Sequence, residues 1–291
     1  MSAANAPHAA MVLHAATAQL TAADIPNAPR DTRLLLAHAM EVPADRLTLH
    51  LSDLLDSEAA TRFHSYIARR LTREPVSQII GHRLFWGRSF RVSKDTLDPR
   101  PETEGLVAEA LRLPFHKMLD LGTGTGCILL SCLADRPNAT GIGTDLSSAA
   151  LEMARMNADH LDLTQRTSFL QSNWCDAVEG LFDLITCNPP YIAADEMSGL
   201  SPEVLNHEPH LALSPGGDGL DAYRILARQA GGHLAANGRL LLEIGPTQAA
   251  AVSALLAANG FTGITVLDDL DNRPRVVCAT NTPQIHAKIG A

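Results

Sequence analysis

The sequence predicts an α/β protein in which a seven-stranded sheet follows an N-terminal helical bundle. Its 291 residues suggest about two domains, because a typical domain has roughly 150 residues. At the start of the chain, apolar side chains recur at three- and four-residue spacings, which is the period of an α-helix. From Lys117 onward, short apolar runs alternate with helical stretches, which is the pattern of βαβ units in a parallel sheet.

The first eighty residues are predicted to form a bundle of helices over residues 9–20, 31–40 and 57–71. Pro29 and Pro43 flank the second helix as stop and start signals. The basic run Arg69, Arg70 and Arg73 is interpreted as a solvated helix face rather than a binding patch.

A β-hairpin is predicted next, because two short aromatic and β-branched runs surround Gly87 within residues 83–92. The sheet follows. Its predicted strands cover residues 118–121, 140–144, 168–171, 181–187, 239–244, 264–267 and 275–279, and its helices cover 126–134, 147–160, 219–235 and 247–258.

Composition excludes several classes of protein. Runs of consecutive Ile and Leu stop after a few residues, far short of the roughly 20 that a membrane span needs. The N-terminus lacks a secretory signal, so we expect a cytoplasmic protein. Five cysteines without a CxxC pair indicate buried, reduced thiols. Residues 101–291 carry 11 basic and 22 acidic side chains, so we expect no direct nucleic-acid binding.

Two segments that contain acidic residues or histidine resemble possible metal sites. In His207-Glu208-Pro209-His210 the proline opposes the helical geometry of zinc motifs, and Asp268, Asp269 and Asp271 fit a solvated turn. No metal is therefore expected.

The strongest local signal is the glycine loop, Gly122-Thr123-Gly124-Thr125-Gly126, between the first predicted strand and its helix. Glycines allow a tight turn and a close approach of the backbone to a ligand. Asp120 precedes the loop, whose GxGxG spacing suits a ligand with an ammonium group and no phosphate, such as S-adenosylmethionine. Asp145 ends the second predicted strand, where a carboxylate can accept both ribose hydroxyl protons.

The second signal is Asn188-Pro189-Pro190-Tyr191, directly after the fourth strand of the sheet. An amide nitrogen is a poor nucleophile, so its NH2 group has to be oriented. The Asn188 side-chain carbonyl and the Pro189 backbone carbonyl can each accept one of its hydrogens. The prolines stiffen the turn, and Tyr191 offers a flat face to a planar group.

These motifs resemble the class I S-adenosylmethionine methyltransferases that act on planar nitrogens, and the fuller pattern is similar to the protein glutamine methyltransferases of the PrmC/HemK family. The matching segments are Glu74-Pro75-Val76 with Gly81, Phe85-Trp86, the run from Leu97 to Glu104, the glycine loop, the Asn-Pro-Pro-Tyr motif, and Glu208-Pro209 followed by the run from Gly216 to Leu220.

The resemblance implies a class I, Rossmann-like fold and a monomer that methylates the glutamine in the Gly-Gly-Gln motif of peptide chain release factors. It implies a helical substrate-recognition domain over residues 1–82, a hairpin connector over 83–99 and a catalytic domain over 100–291. Two enzymatic alternatives remain open, a methyltransferase for a ribosomal-protein glutamine and one for adenine in nucleic acid. A non-catalytic nucleotide-binding module is disfavoured, because both motifs are intact.

The resemblance also implies the site residues. The run 100–103 would lie near the mouth of the active site, and Asn188 would contact both cofactor and glutamine. Asn173 stands where the family usually has Asp, which leaves adenine binding open because Asn presents a donor as well as an acceptor. The expected catalytic residues are Asn188, Pro189, Pro190 and Tyr191, and the expected cofactor-binding residues are Asp120, Gly122, Thr123, Gly124, Thr125, Gly126, Asp145, Asn173, Trp174 and Asn188.

Overall fold

The computed structural model describes residues 6–281, which form two compact units. A helical unit runs through His82 and also includes Ser201–His207. A sheet unit comprises Arg83–Leu200 and the chain from Glu208 onward. In chain order, the helices and strands are α1 (Ala9–Ala22), α2 (Ala28–Ala39), α3 (Ser57–Leu71), α4 (Val76–Ile80), β1 (His82–Phe85), β2 (Arg88–Arg91), α5 (Glu104–Arg112), β3 (Lys117–Leu121), α6 (Cys127–Asp135), β4 (Thr140–Asp145), α7 (Ser148–His160), β5 (Thr167–Gln171), β6 (Phe182–Cys187), α8 (Pro202–His207), α9 (His210–Leu213), α10 (Asp221–Gln229), β7 (Leu234–Glu243), α11 (Ala249–Ala258), β8 (Phe261–Asp268) and β9 (Pro274–Asn281).

The helical unit contains the three predicted helices, and α3 has the predicted bounds. The second helix begins at Ala28, so Pro29 lies inside its first turn and is not a stop signal before it. Proline is tolerated there because the first N–H groups of a helix have no partner within the helix. Leu20, Leu35 and Phe63 are among the buried side chains that form the core of this unit.

The basic run on α3 is not a solvated face, contrary to the sequence-based interpretation. Arg70 is 4% exposed, and its guanidinium donates to Asp31 at 2.8 Å and to Glu203 at 3.1 Å. Arg73 also pairs with Glu203, and Arg69 pairs with Glu74. Arg70 therefore connects α2 and the segment Ser201–His207 to α3 within the helical unit, and Arg73 adds a second contact to that segment.

The sheet unit contains all seven predicted strands in one sheet of order β5-β4-β3-β6-β7-β9-β8 over the described residues. Strand β9 runs antiparallel to both of its neighbours, and the other pairs are parallel. Apolar clusters cover both faces, with Leu119 and Ile185 in one and Met118 and Leu184 in the other. This strand order puts the carboxyl ends of β3, β4 and β6 side by side.

Two predicted boundaries in this unit were wrong. The helix predicted over 219–235 ends at Gln229, because Gly231 and Gly232 follow and the chain forms a 3₁₀ turn. Strand β7 then begins at Leu234 rather than 239, with Asn237 at φ 63° beside a register shift against β6. Helix α5 was not predicted.

The predicted hairpin is present as β1 and β2, joined by Trp86 and Gly87. Both turn residues have positive φ, 49° and 69°, as the tight turn of a two-residue hairpin requires. Phe85 and Phe90 pack edge to face with ring centroids 6.1 Å apart. All five cysteines are free, and four of them are buried. Across residues 6–281, no helix has the length and apolar character needed to cross a membrane.

Candidate active site

A cavity of about 400 Å³ lies in the sheet unit, at the carboxyl ends of β3, β4 and β6. This is the edge where open α/β sheets bind their ligands. Leu97, Leu211 and Ile225 contribute apolar walls that the sequence analysis did not assign. Of the predicted site residues, Gly122, Thr123, Gly124, Thr125, Asp145, Asn173, Trp174, Asn188 and Pro190 line the cavity.

The glycine loop turns sharply from β3 into α6. Gly122, Gly124 and Gly126 have φ values of 67°, 55° and 79°, which side chains with a Cβ rarely adopt. A Cβ on Gly126 would lie 3.0 Å from Leu130, so this glycine is also required for packing. Gly126 does not line the cavity, and its role in the structure is to start the helix.

Asp120 lies behind the loop and does not line the cavity. Its fully buried carboxylate accepts hydrogen bonds of 2.7 Å from the hydroxyls of Thr123 and Thr186. Burial raises the pKa of Asp120 to about 6. The structure therefore places this carboxylate where it holds the glycine loop.

Asp145 lies in the cavity at the end of β4. Its two carboxylate oxygens accept backbone N–H groups of Gly124 and Ser147, each at 2.9 Å. Burial raises the pKa of this carboxyl. The Leu146 N–H also bonds this carboxylate. Because a carboxylate has about four acceptor positions, one remains for a ligand hydroxyl.

Trp174 and Asn173 form another side of the cavity, after β5. Trp174 has a φ of 54°, and a Cβ added to Gly122 would lie 3.7 Å from its ring, so the indole stands over the glycine loop. The side-chain NH2 of Asn173 donates to Asp176 at 3.2 Å. Because this donor is engaged, the Asn173 carbonyl remains as the acceptor that an adenine amino group needs.

The Asn-Pro-Pro-Tyr segment is divided between two cavities. Asn188 and Pro190 line the main cavity, and Pro189 is buried. The Asn188 NH2 group donates to the Thr103 hydroxyl at 3.3 Å. Tyr191 lines a neighbouring polar cavity with Arg83, Arg100, Pro101, Glu102, Glu243 and Arg275.

Close packing holds this segment in place. The Tyr191 carbonyl accepts a 2.9 Å hydrogen bond from Gln248, and the Tyr191 N–H donates to Leu213. A Cβ on Gly219 would lie 2.4 Å from the Tyr191 carbonyl oxygen, so only glycine fits there.

Arg100, which lines the main cavity, is paired with the buried carboxyl group of Glu208. Arg100 donates to Glu208 at 2.5 Å, and Glu208 is 5% exposed. Burial raises the pKa of Glu208 to about 7 despite Arg100, and Asp98 nearby acts in the same direction. His207, the residue before Glu208, belongs to the helical unit, where its ring contacts the Thr72 carbonyl.

Comparison with known proteins identifies both parts of the chain. Residues 11–81 match the PrmC N-terminal domain, and residues 92–220 match the methyltransferase small domain. A release factor glutamine methyltransferase from Cereibacter sphaeroides is 59% identical over 93% of this chain and 98% of its own length. The chain belongs to the release factor glutamine methyltransferase family.

Two further comparisons agree. A release factor glutamine methyltransferase from Rhodospirillum rubrum is 43% identical over 90% of this chain and 81% of its own. The solved structure of the hMettl16 catalytic domain, in complex with the MAT2A 3'UTR hairpin 1, shares the fold with a TM-score of 0.58 at 15% identity, covering 86% of this chain and 93% of that one. The predicted family and the class I methyltransferase fold are thus confirmed.

The cofactor of this methyltransferase is S-adenosylmethionine, and the cavity fits it. The glycine loop leaves its backbone open to the ligand, Asp145 keeps an acceptor position for a hydroxyl group, and Trp174 supplies an aromatic surface. S-adenosylmethionine supplies an electrophilic methyl group on a sulfonium ion, and S-adenosylhomocysteine remains after transfer.

Proposed function

We propose that this enzyme methylates the side-chain amide nitrogen of the glutamine in the Gly-Gly-Gln motif of peptide chain release factors. The observation that carries the proposal is the orientation of Asn188. Its NH2 group is engaged by Thr103, so its carbonyl is the group available in the cavity. A carbonyl in that position accepts a hydrogen from an amide NH2 and not from a carboxylate or an ester.

The proposed roles follow from the contacts. Gly122, Gly124 and Asp145 hold the cofactor, with Trp174 and Asn173 at the adenine. Asn188 and the Pro189 backbone carbonyl each accept one hydrogen of the substrate amide, which aims the nitrogen lone pair at the methyl group. Tyr191, in the neighbouring cavity, contacts the substrate chain beside the glutamine.

Orientation supplies most of the rate in this scheme. Methyl transfer to a neutral amide needs no strong base before the transition state, because the proton leaves after the new N–C bond forms. Acceptors fixed by prolines and by buried hydrogen bonds need no rearrangement during the reaction, which is the condition for effective electrostatic stabilisation.

The helical unit is proposed to recognise the release factor outside the Gly-Gly-Gln loop. Its match to the PrmC N-terminal domain supports this, and none of its described residues, 6–82 and 201–207, lines either cavity. A full-length release factor should therefore have a lower KM than a Gly-Gly-Gln peptide, at similar kcat. Removing residues 1–82 should abolish that difference, with cofactor binding by the remaining chain as the folding control.

The proposal also includes the location of the enzyme, its independence of nucleic acid and its oligomeric state. Because the substrate works in translation, the enzyme acts in the cytoplasm. It needs no direct contact with nucleic acid, since release factors are proteins, and we propose that it acts as a monomer.

The proposal is tested by giving the enzyme S-adenosylmethionine with a labelled methyl group and three acceptors in separate reactions. These are a release factor, a mixture of ribosomal proteins, and nucleic acid. We expect label on the release factor, mapped by mass spectrometry to the glutamine of Gly-Gly-Gln. Label on ribosomal protein or nucleic acid alone would support one of the two alternative substrates.

A further inference from the structure

A hydrogen bond and a close polar neighbour connect Asn188 to a buried acid that the sequence analysis did not identify. The Asn188 NH2 group donates to the Thr103 hydroxyl at 3.3 Å, and the Glu243 carboxyl lies close enough to the Thr103 side chain for that hydroxyl to lower its pKa. Both Thr103 and Glu243 are 2% exposed. The three residues thus form a path of neighbouring polar groups from the sheet interior to the cavity.

Strand pairing places the two ends of this path side by side. Cys187, the last residue of β6, pairs with Leu242 of β7. Glu243 is the next residue of β7, and Asn188 directly follows the end of β6. Thr103 bridges them from the start of α5, where its backbone N–H bonds the Arg100 carbonyl at 3.1 Å.

The chemistry of the three groups gives the path a direction. A carboxylate can only accept, and a threonine hydroxyl has one hydrogen to donate. When Thr103 donates that hydrogen to Glu243, it can only accept from Asn188. The Asn188 amide is then held with its NH2 group toward Thr103 and its carbonyl free for another partner.

We propose that Thr103 and Glu243 are positioning residues for methyl transfer, and that they keep the Asn188 carbonyl turned toward the substrate amide. The inference rests on the proposed function, because only an NH2-bearing substrate needs that carbonyl. In the reverse orientation, Asn188 would present its own NH2 group to the substrate NH2, and two donors repel each other.

The surroundings of Glu243 argue against a purely structural role. Its second carboxylate oxygen has no hydrogen-bond partner among residues 6–281, and a buried carboxylate with an unused acceptor destabilises a fold. The charged groups around it are Arg275, Arg100 and Glu102, with the hydroxyls of Tyr191 and Tyr223 nearby. Arg275 donates to the Ile244 carbonyl and to Asp269, and Tyr223 donates to the Glu243 backbone carbonyl rather than to the carboxylate.

This arrangement also makes the path sensitive to pH. Burial raises the pKa of Glu243 to about 7. A protonated Glu243 can donate to Thr103, which releases the Thr103 hydrogen toward Asn188 and removes the preference for the productive orientation. The rate of transfer should therefore fall as the pH drops below about 7.

The test compares single-turnover methylation of a release factor by the full chain and its variants at saturating S-adenosylmethionine. Thr103→Val removes the bridging hydroxyl and should slow transfer about 10-fold or more, whereas Thr103→Ser keeps the hydroxyl and should stay within about 3-fold of wild type. Ser131→Ala removes a buried hydroxyl that lines neither cavity, and should leave the rate unchanged.

Glu243→Gln separates positioning from folding, because it keeps the size and an acceptor but cannot ionise. Its rate should be flat between pH 6 and 8, where the wild-type rate rises about 5-fold or more. Cofactor affinity should change less than about 2-fold in all variants. A wild-type rate for Thr103→Val, or a Glu243→Gln profile that rises with pH as wild type does, would overturn the positioning role. A wild-type enzyme that transfers nothing to a release factor would contradict the proposed function instead.

Discussion

The carboxylate of Asp145 accepts a 2.9 Å hydrogen bond from the backbone N–H of Gly124, which ties the end of β4 to the glycine loop after β3. A second 2.9 Å bond from the Ser147 N–H uses the other oxygen. Asp145 therefore holds the glycine loop and also lines the cavity. The sequence alone predicted only the second role.

Replacing Asp145 should weaken cofactor binding. In Asp145→Ala the loop loses its anchor and the cavity loses its charged acceptor, so we expect a loss of about 1–3 kcal/mol, measured by calorimetric titration with S-adenosylmethionine. Asp145→Asn keeps one acceptor and should fall between wild type and Ala. Unchanged affinity in Asp145→Ala would contradict the role assigned to this residue.

Much of the sheet was predictable because its strands are short apolar runs separated by helical stretches. The end of α10 and the start of β7 were not predictable, because the residues between Gln229 and Arg239 are compatible with either a helix or a strand. Pairing with β6 makes the chain from Leu234 onward a strand. The segment Ser201–His207 was assigned to the catalytic domain, whereas the structure groups it with the helices. Its ion pair with Arg70 spans 133 residues, and no local pattern reveals such a contact.

The parts of the candidate site that form a continuous sequence motif were predictable, namely the glycine loop and the segment that begins at Asn188. Asp120 was predicted as a site residue, but its complete burial was not. Its buried carboxylate is bonded by Thr123 and by Thr186 of the neighbouring strand, and the second contact is not local in sequence. Glu243 stands in an ordinary strand sequence, and only the register of β7 against β6 brings it beside Asn188.

Breaking the buried ion cluster of the helical unit should destabilise that unit. Arg70→Ala leaves the Asp31 and Glu203 carboxylates without their shared partner, and should lower the free energy of unfolding by about 3–5 kcal/mol in urea. Arg33→Ala removes an exposed hydrogen bond to Thr48 and should cost no more than about 1 kcal/mol. Equal effects of the two substitutions would show that the cluster contributes no special stability.

The stability of the enzyme should depend on pH through Glu208. The folded protein keeps this carboxyl protonated up to about pH 7, whereas the ordinary pKa of 4.5 applies in the unfolded chain. Between these values the folded state binds more protons, so its stability falls as the pH rises. Relative to Glu208→Gln, wild type should lose on the order of 1–3 kcal/mol from pH 4.5 to 8, measured by urea denaturation. A difference that is constant with pH would contradict the raised pKa.

Asn173 should support adenine binding better than an aspartate at this position would. Asn173→Asp would bring a second carboxylate against Asp176, which now accepts the Asn173 NH2 group at 3.2 Å. Cofactor affinity should fall by about 1 kcal/mol, and adding Asp176→Asn should restore it. Tighter binding by Asn173→Asp alone would show that Asp176 does not constrain this residue.

The most direct test of the central claim is the single-turnover rate of Asn188→Ala on a release factor at saturating S-adenosylmethionine, which separates transfer from cofactor binding. If the Asn188 carbonyl orients the glutamine amide, the rate should fall about 10²-fold or more. Asn188→Asp keeps an acceptor but loses the NH2 group that bonds Thr103, so it should be as damaging as Ala if that bond is required. A wild-type rate for Asn188→Ala would show that the Asn-Pro-Pro-Tyr segment is only a turn, and would contradict the account.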